Sequence, residues 1–362
     1  MNLKVLQHIN ATIQETSGMG AVAYNAATMA KEENYIVSLL CTKNRSNLPA
    51  SMVEELGVAF LFRDRLISYL ARVIGIKRKS YNDKIKRFEQ ASLLNIKSCD
   101  IYHSWDRSPA CFRKAKELGA VTILDVAMNI WPGKDLQYVD YVCVPSRPLY
   151  KKALGIGIPE ERLFYHPFGV DIDTFKPVAK VEGRIRFMFS GTLNDRKGIK
   201  ELLLAWNLAD LPNADLVLCG HGKNTSYFKD LMIQLKPKNL ILKGFLNWQE
   251  LVHEYNQAHI FVFPSKKEGS AKCVYEAMAS GLPVITTDES GSIIEDKKDG
   301  FILIQEDFKS LANLMQELYS SKKLRSSIGK KARLKAVQNS WQNYRERLGR
   351  IYEVISKNHT NI

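Results

Sequence analysis

No C-x-x-C pair occurs in this sequence. Its six cysteines, Cys41, Cys99, Cys111, Cys143, Cys219 and Cys273, are scattered singly. That excludes a zinc ribbon and a disulfide scaffold and fits reduced thiols in a reducing compartment. No apolar run approaches the roughly 18–20 residues of a membrane span. The first residues, MNLKVLQHI, read as a strand and lack the charged and apolar regions of a signal peptide. No segment is of low complexity, and no repeat appears beyond two similar halves. Acidic residues are short against basic ones, 38 against 52, for a formal net charge of +14. Such a surface suits nucleic acid, anionic lipid or a phosphorylated ligand. No nucleic-acid-binding motif accompanies the charge, so nucleic acid is set aside and a membrane surface or lipid acceptor preferred.

What is present is a globular composition, 45% hydrophobic and 25% charged. A chain of 362 residues suits two domains better than one. The most informative stretch is 259–291, HIFVFPSKKEGSAKCVYEAMASGLPVITTDESG. An apolar run at 260–263 stops at Pro264 and Ser265. A polar loop follows with Glu268, Gly269 and Ser270. A helix of about nine residues is expected over 272–280, with Gly281 past its end and Pro283 beyond. A second apolar run covers 283–287. Strand, loop, helix, strand is the unit of a parallel α/β sheet.

That order places Glu268 at the carboxyl end of a strand, where open α/β sheets bind ligands. The helix start at Ala271, Lys272, Cys273 and Val274 offers backbone N–H groups to a phosphate. Glu276 lies one turn in, on the same face as Lys272, and a carboxylate there can accept two ribose hydroxyls. An ordinary βαβ unit with two surface glutamates is the plainer alternative.

The string EGSAKCVYEAMASGLPVIT resembles the signature of the retaining glycosyltransferases of family 4, which have the two-domain GT-B fold. The resemblance implies an α/β protein with two Rossmann-like, doubly wound parallel-sheet domains facing a central cleft. It implies that Glu268 contacts the donor hexose, Glu276 the ribose, and the loop between them the diphosphate. The family's usual EGFG reads EGSA here, followed by Lys272. It implies transfer of a hexose from a nucleotide diphosphate sugar, UDP- or GDP-linked, to a hydroxyl of a glycan or lipid-linked acceptor, as in surface polysaccharide or glycolipid synthesis. Closure of the cleft would exclude water. No cofactor or bound metal is expected for the chemistry. A sugar-nucleotide epimerase on the same fold, or a scaffold that only binds sugar nucleotide, are the alternatives.

The rest of the chain fits that frame. A strand is expected over 3–8, followed by the glycine-rich turn Ser17-Gly18-Met19-Gly20 before a helix. By resemblance Gly20 faces the donor and Gly18 the acceptor. His103 ends the strand DIYHS. Asp125 ends VTILDV, where many relatives carry a histidine. Both fall on the acceptor side by resemblance. HPFGVDIDTFKP resembles the family's crossing between domains, which sets aside a metal role for Asp171 and Asp173. The loop GTLNDRKG carries Gly191, Arg196 and Lys197. Thr192 stands where relatives have arginine, so Arg196 and Lys197 are assigned to the leaving diphosphate, with Glu268 as the third catalytic residue. Gly220 in LCGHG and Phe245 in LKGFL are expected beside the nucleotide.

The expected domains are 1–175 for the acceptor, 176–340 for the nucleotide sugar, and 341–362 as a helix returning to the first domain. Residues 60–90 are the least family-like part, basic and amphipathic. They suit either an anionic membrane surface or a helix packed on its own domain. The location expected is cytoplasmic, peripheral at the inner face of the plasma membrane.

Overall fold

A computed structural model describes residues 3–14, 18–32, 35–56, 80–179 and 183–360. Much of the basic segment at 60–90 therefore lies outside the described residues, as does Ser17. The chain divides into two compact units, one of Met1–Val144, Tyr150–His166 and Tyr344–Ile362, the other of Pro145–Leu149 and Pro167–Asn343.

The first unit opens with β1 (Lys4–Ile13), α1 (Gly18–Glu32), β2 (Ile36–Asn44) and β3 (Val53–Glu55). After α2 (Ser80–Asn95) come β4 (Ile101–Ser104), α3 (Pro109–Glu117), β5 (Val121–Asp125) and β6 (Tyr141–Val144). The helix α4 (Arg147–Gly155) and β7 (Leu163–Tyr165) follow. These seven strands form one parallel sheet in the order β3-β2-β1-β4-β5-β6-β7. Strands β4 and β5 are buried along their whole length, the mark of a sheet covered on both faces. In α1 the buried residues Ala21, Ala23, Ala26 and Ala27 are small, which brings the helix axis close to the sheet. Gly20 carries this further, since a Cβ there would lie 2.1 Å from the Thr12 carbonyl oxygen.

The second unit holds β8 (Ile185–Ser190), α5 (Ile199–Ala209), β9 (Ala214–Cys219), α6 (Ser226–Leu235), β10 (Leu240–Gly244) and α7 (Trp248–Gln257). It continues with β11 (Ile260–Phe263), α8 (Lys272–Ala279), β12 (Val284–Thr287), β13 (Phe301–Leu303), α9 (Phe308–Ser320) and α10 (Lys322–Val337). Its parallel sheet runs β10-β9-β8-β11-β12-β13. The order reverses at β8 and β11, so their carboxyl ends flank the crevice where such sheets take ligands. The expected helix at 272–280 is α8, one residue shorter because Ser280 is its C-cap. The last helix, α11 (Trp341–Thr360), supplies Tyr344 onward to the first unit.

Candidate active site

Two loops of the second unit meet at the crevice between β8 and β11. After β8, Asn194 caps a short turn at Asp195–Lys197, its side chain accepting the Lys197 N–H. Gly198 ends the turn at φ 69°, and a Cβ there would lie 1.9 Å from the Pro264 carbonyl oxygen. Only glycine tolerates both the left-handed backbone and that approach. The close contact seats the 195–197 turn against the loop after β11. Lys266 locks it, donating its backbone N–H to the Arg196 carbonyl and its ammonium to Asp195, Glu201 and Glu306 at 2.9–3.0 Å.

The result is a convergence on one carboxylate oxygen. Lys197 Nζ lies 2.5 Å and Arg196 Nη1 2.7 Å from Glu268 Oε1. The Ser265 hydroxyl lies 3.0 Å from the same oxygen. The Lys197 side chain is 13% exposed and that of Glu268 10%, against 38% for Arg196, so the lysine is the better-desolvated cation. Thr192, at the position where arginine was looked for, is exposed.

The start of α8 differs from the expectation in detail. Of the four N–H groups assigned to a phosphate, that of Ala271 donates to Ser290 O and that of Val274 to Ala271 O. Both are used within the loop. Cys273, at the second helical position, has no intrahelical acceptor for its own N–H. Ser270 is nearly buried, its hydroxyl 2.8 Å from Tyr275 OH. Glu276 is also nearly buried and accepts from Tyr255 OH at 3.1 Å. Burial pushes its carboxyl up, with Lys272 and Tyr255 opposing. Burial brings the Lys272 ammonium down to about 8, with Glu276 opposing. Lys272 Nζ also sits 5.2 Å from the centre of the Trp341 ring. That pairing was not legible in the sequence.

Gly220 packs against Gly191, for a Cβ on it would lie 1.9 Å from the Gly191 carbonyl oxygen. Beside them is an open groove of about 470 Å³ lined by Gly220, His221, Gly222, Lys223, Gly244 and Phe245. Phe245 is 67% exposed and stacks on His221, with ring centres 4.5 Å apart and planes 14° apart. A cavity of about 920 Å³ lies instead at the amino-terminal edge of the sheet, by Ile185, His259, Pro283 and α10, away from these groups. Asp171 closes its own loop, its Oδ1 accepting the N–H groups of Asp173 and Thr174.

The remaining candidates belong to the first unit. Gly18 is the first residue of α1, and Gly20 is buried against β1. His103 and Asp125 are 0% and 2% exposed. The acceptor-side assignment therefore meets a geometric obstacle, because both side chains lie in the core of their unit, near Tyr352 and His166. Burial pushes the Asp125 carboxyl up, but His103 and His166 outweigh it and hold the group below its usual range.

Three groups near the carboxyl edge of this sheet escaped the sequence reading. Asp106, just past β4, accepts the Asn10 N–H, and burial raises its carboxyl to about 7. Trp131 is 50% exposed in the loop after β5, with the Arg107 guanidinium 4.0 Å from its ring centre. A lone tryptophan in a loop carries no pattern from which a sequence could single it out.

The fold is GT-B, shared with solved glycosyltransferases. Residues 171–335 match the family model described as Glycosyl transferases group 1. Spore coat protein SA of Bacillus subtilis is 32% identical over 216 residues, 51% of this chain and 57% of that protein. The capsular polysaccharide biosynthesis glycosyltransferase CapM of Staphylococcus aureus is 30% identical over 159 residues, 42% of this chain and 41% of that one. The chain thus spans about half the length of these curated relatives. Among solved structures, Alr3699/HepE of Anabaena, in complex with UDP and glucose, superposes with a TM-score of 0.69 at 14% identity over 98% of this chain and 100% of that one.

Proposed function

We propose that this protein is a retaining glycosyltransferase. It moves a hexose from a nucleotide diphosphate sugar to a hydroxyl of a glycan or lipid-linked acceptor, in surface polysaccharide or glycolipid synthesis. The observation that carries the reading is the convergence of Lys197 and Arg196 on Glu268, within a segment that matches the group 1 glycosyltransferase model. Two cations on one carboxylate leave a net positive charge beside the start of α8. That arrangement suits a diphosphate whose negative charge grows as the sugar departs.

In this reading Lys197 and Arg196 meet the diphosphate, with the Cys273 N–H at the helix start. Glu268, released from part of its pairing when the diphosphate arrives, turns to hydroxyls of the hexose. Glu276 accepts from the ribose, and the open face of Phe245 takes the base in the groove beside Gly220. The donor is a UDP- or GDP-sugar; the similar Anabaena protein was solved with UDP and glucose, and a GDP-mannose-dependent alpha-mannosyltransferase is among the sequence relatives. No side chain is assigned as covalent nucleophile. The leaving phosphate oxygen takes the acceptor proton on the face it vacates. The acceptor is placed on the first unit, with Trp131 and Arg107 as its platform, since an aromatic face packs against the apolar side of a sugar ring.

Mass spectrometry of products from purified protein, a panel of nucleotide sugars and a pooled glycolipid extract tests this. A new glycoside from one donor is expected; donor binding with neither transfer nor hydrolysis would leave only a binding scaffold. Attachment of residues 60–90 to an anionic membrane is part of the proposal. It is checked by salt-sensitive sedimentation with anionic and neutral vesicles, and equal partitioning to both would remove it.

A further inference from the structure

The parallel register of the first sheet sets a row of donor atoms on one face. Asp125, the last residue of β5, is the cross-strand partner of Cys143 on β6. His103 on β4 is the partner of Ile123, two residues before Asp125. His166 follows β7 directly and donates its N–H to the Val144 carbonyl. Side chains alternate along a strand with period two, so His103, Asp125, Cys143 and His166 all point the same way. The helix α11 covers them with Tyr344 and Tyr352. All four donors are 2% exposed or less.

Their hydrogen bonds do not close. The His166 Nε2–H donates to the Tyr344 carbonyl at 3.2 Å. In a neutral imidazole that leaves Nδ1 as a bare lone pair, and Nδ1 faces Asp125 Oδ2 at 3.8 Å. His166 Nδ1 and Asp125 Oδ2 thus face each other across the core with no closer partner between them among the described residues. Among the described residues, His166 Nδ1, Asp125 Oδ2 and His103 Nε2 are buried polar atoms without a hydrogen-bond partner. The separation is too long for a hydrogen bond, which ends near 3.2 Å. It is close to the spacing of about 3.4 Å between two ligands on one tetrahedral ion with bonds of about 2.0–2.1 Å. Asp125, Cys143 and His166 offer one oxygen, one sulfur and one nitrogen, all within 4.8 Å of one another.

We propose that Asp125, Cys143 and His166 bind a structural zinc ion in the core of the first unit, beneath α11. Binding breaks the Cys143 S–H bond, forms a sulfur–metal bond and releases the proton to solvent. A carboxylate, a thiolate and a neutral imidazole then balance the dication, so that no net charge is buried. Zinc is held by three protein ligands with a water in the fourth position at catalytic sites, whereas structural sites mostly close with four; the three donors here leave the fourth position to water. The neighbours are those a metal ligand needs. His166 is fixed in its tautomer by the Tyr344 carbonyl, and the Tyr352 hydroxyl, 2.8 Å from His103 Nδ1, sets His103 Nε2–H toward Asp125. The ion takes no part in sugar transfer; it ties β5, β6 and the segment after β7 together, with the Tyr344 carbonyl of α11 on His166 Nε2.

Untagged full-length protein, purified from zinc-supplemented cells, is expected to carry one zinc per chain by elemental analysis. Chelator should lower its melting temperature, and Zn²⁺ but not Mg²⁺ should restore it. Cobalt exchanged into wild-type protein should give a thiolate-to-cobalt charge-transfer band, which needs no variant to fold. Cys143→Ser should lose that band, and His166→Gln should lose the metal. Chelated protein that takes up no Zn²⁺ and melts at an unchanged temperature would overturn the proposal. So would a charge-transfer band that survives in Cys143→Ser.

Discussion

Lys197 Nζ lies 2.5 Å from Glu268 Oε1, across two loops that are joined only through the sheet. Seventy-one residues separate them in sequence. The same oxygen also takes Arg196 Nη1 at 2.7 Å. The carboxylate thus holds both cations in place before any anion arrives. Preorganised charge of this kind costs no rearrangement when negative charge develops.

Lys197→Ala is therefore expected to lower kcat by roughly a hundredfold or more, the scale of removing one preorganised stabilising group. Arg196→Ala, at the more exposed cation, should cost less. The double variant should fall short of the product of the two, since both act through one carboxylate and one phosphate group. Steady-state kinetics of the three, with folding checked by thermal melts, decides it. Near-normal turnover in Lys197→Ala would sink the assignment.

Glu276→Gln should weaken donor binding by about 1–3 kcal/mol, the scale of a hydrogen bond to a charged group. Tyr255 OH, 3.1 Å from the carboxylate, keeps an amide oxygen to donate to, so the fold should survive. Calorimetric titration with nucleotide diphosphate is the measurement. Unchanged affinity in a folded variant would remove the ribose contact.

The Lys272 ammonium is brought from 10.5 to about 8 by burial. Between those values the unfolded chain holds the proton and the folded chain has released it. Stability rises with pH wherever the unfolded state binds more protons. The contribution of Lys272 should therefore increase from about pH 8 towards 10.5 and be flat below. Denaturant midpoints of wild type minus Lys272→Met, compared across that window, isolate it from other titrating groups. A difference that does not change with pH would mean the lysine is not depressed.

Trp131→Ala should raise the acceptor KM severalfold, leaving donor affinity as it was, if the exposed ring is the acceptor's platform. Loss of donor binding, or no change in acceptor KM, would count against that role.

Much of the fold was legible in the sequence because it is written in local patterns. Runs such as IFVF and VITT are buried along their whole length, so they show as continuous apolar stretches. Gly281 at φ 72° stops α8, as glycine past a helix end is expected to. The donor-site strings were legible too, since a strand end, a loop and a helix start are consecutive in the chain. Glu268 and Glu276 could thus be placed at a strand end and one turn into a helix, while Ser270 and the roles of all three came from the family resemblance. The sequence also marked Lys197 and Arg196 as a basic pair after a strand.

What sequence could not decide is which groups face each other across the sheet. The order β8-β11 brings Lys197 to Glu268, and nothing local to either residue records it. The start of α8 was marked as four equivalent donors, but Ser290 O, nineteen residues beyond Ala271, takes one of them. His103 and Asp125 were placed on the acceptor side by resemblance. Their burial follows from α11, more than two hundred residues later in the chain. The same packing sets His166 Nδ1 against Asp125 Oδ2 at 3.8 Å. Sequence determined the strands, helices and loop chemistry, because those depend on neighbours in the chain. Tertiary structure alone decided the pairings, because parallel strands meet only after a crossover and a side chain's partner is set by register and by whatever packs above it.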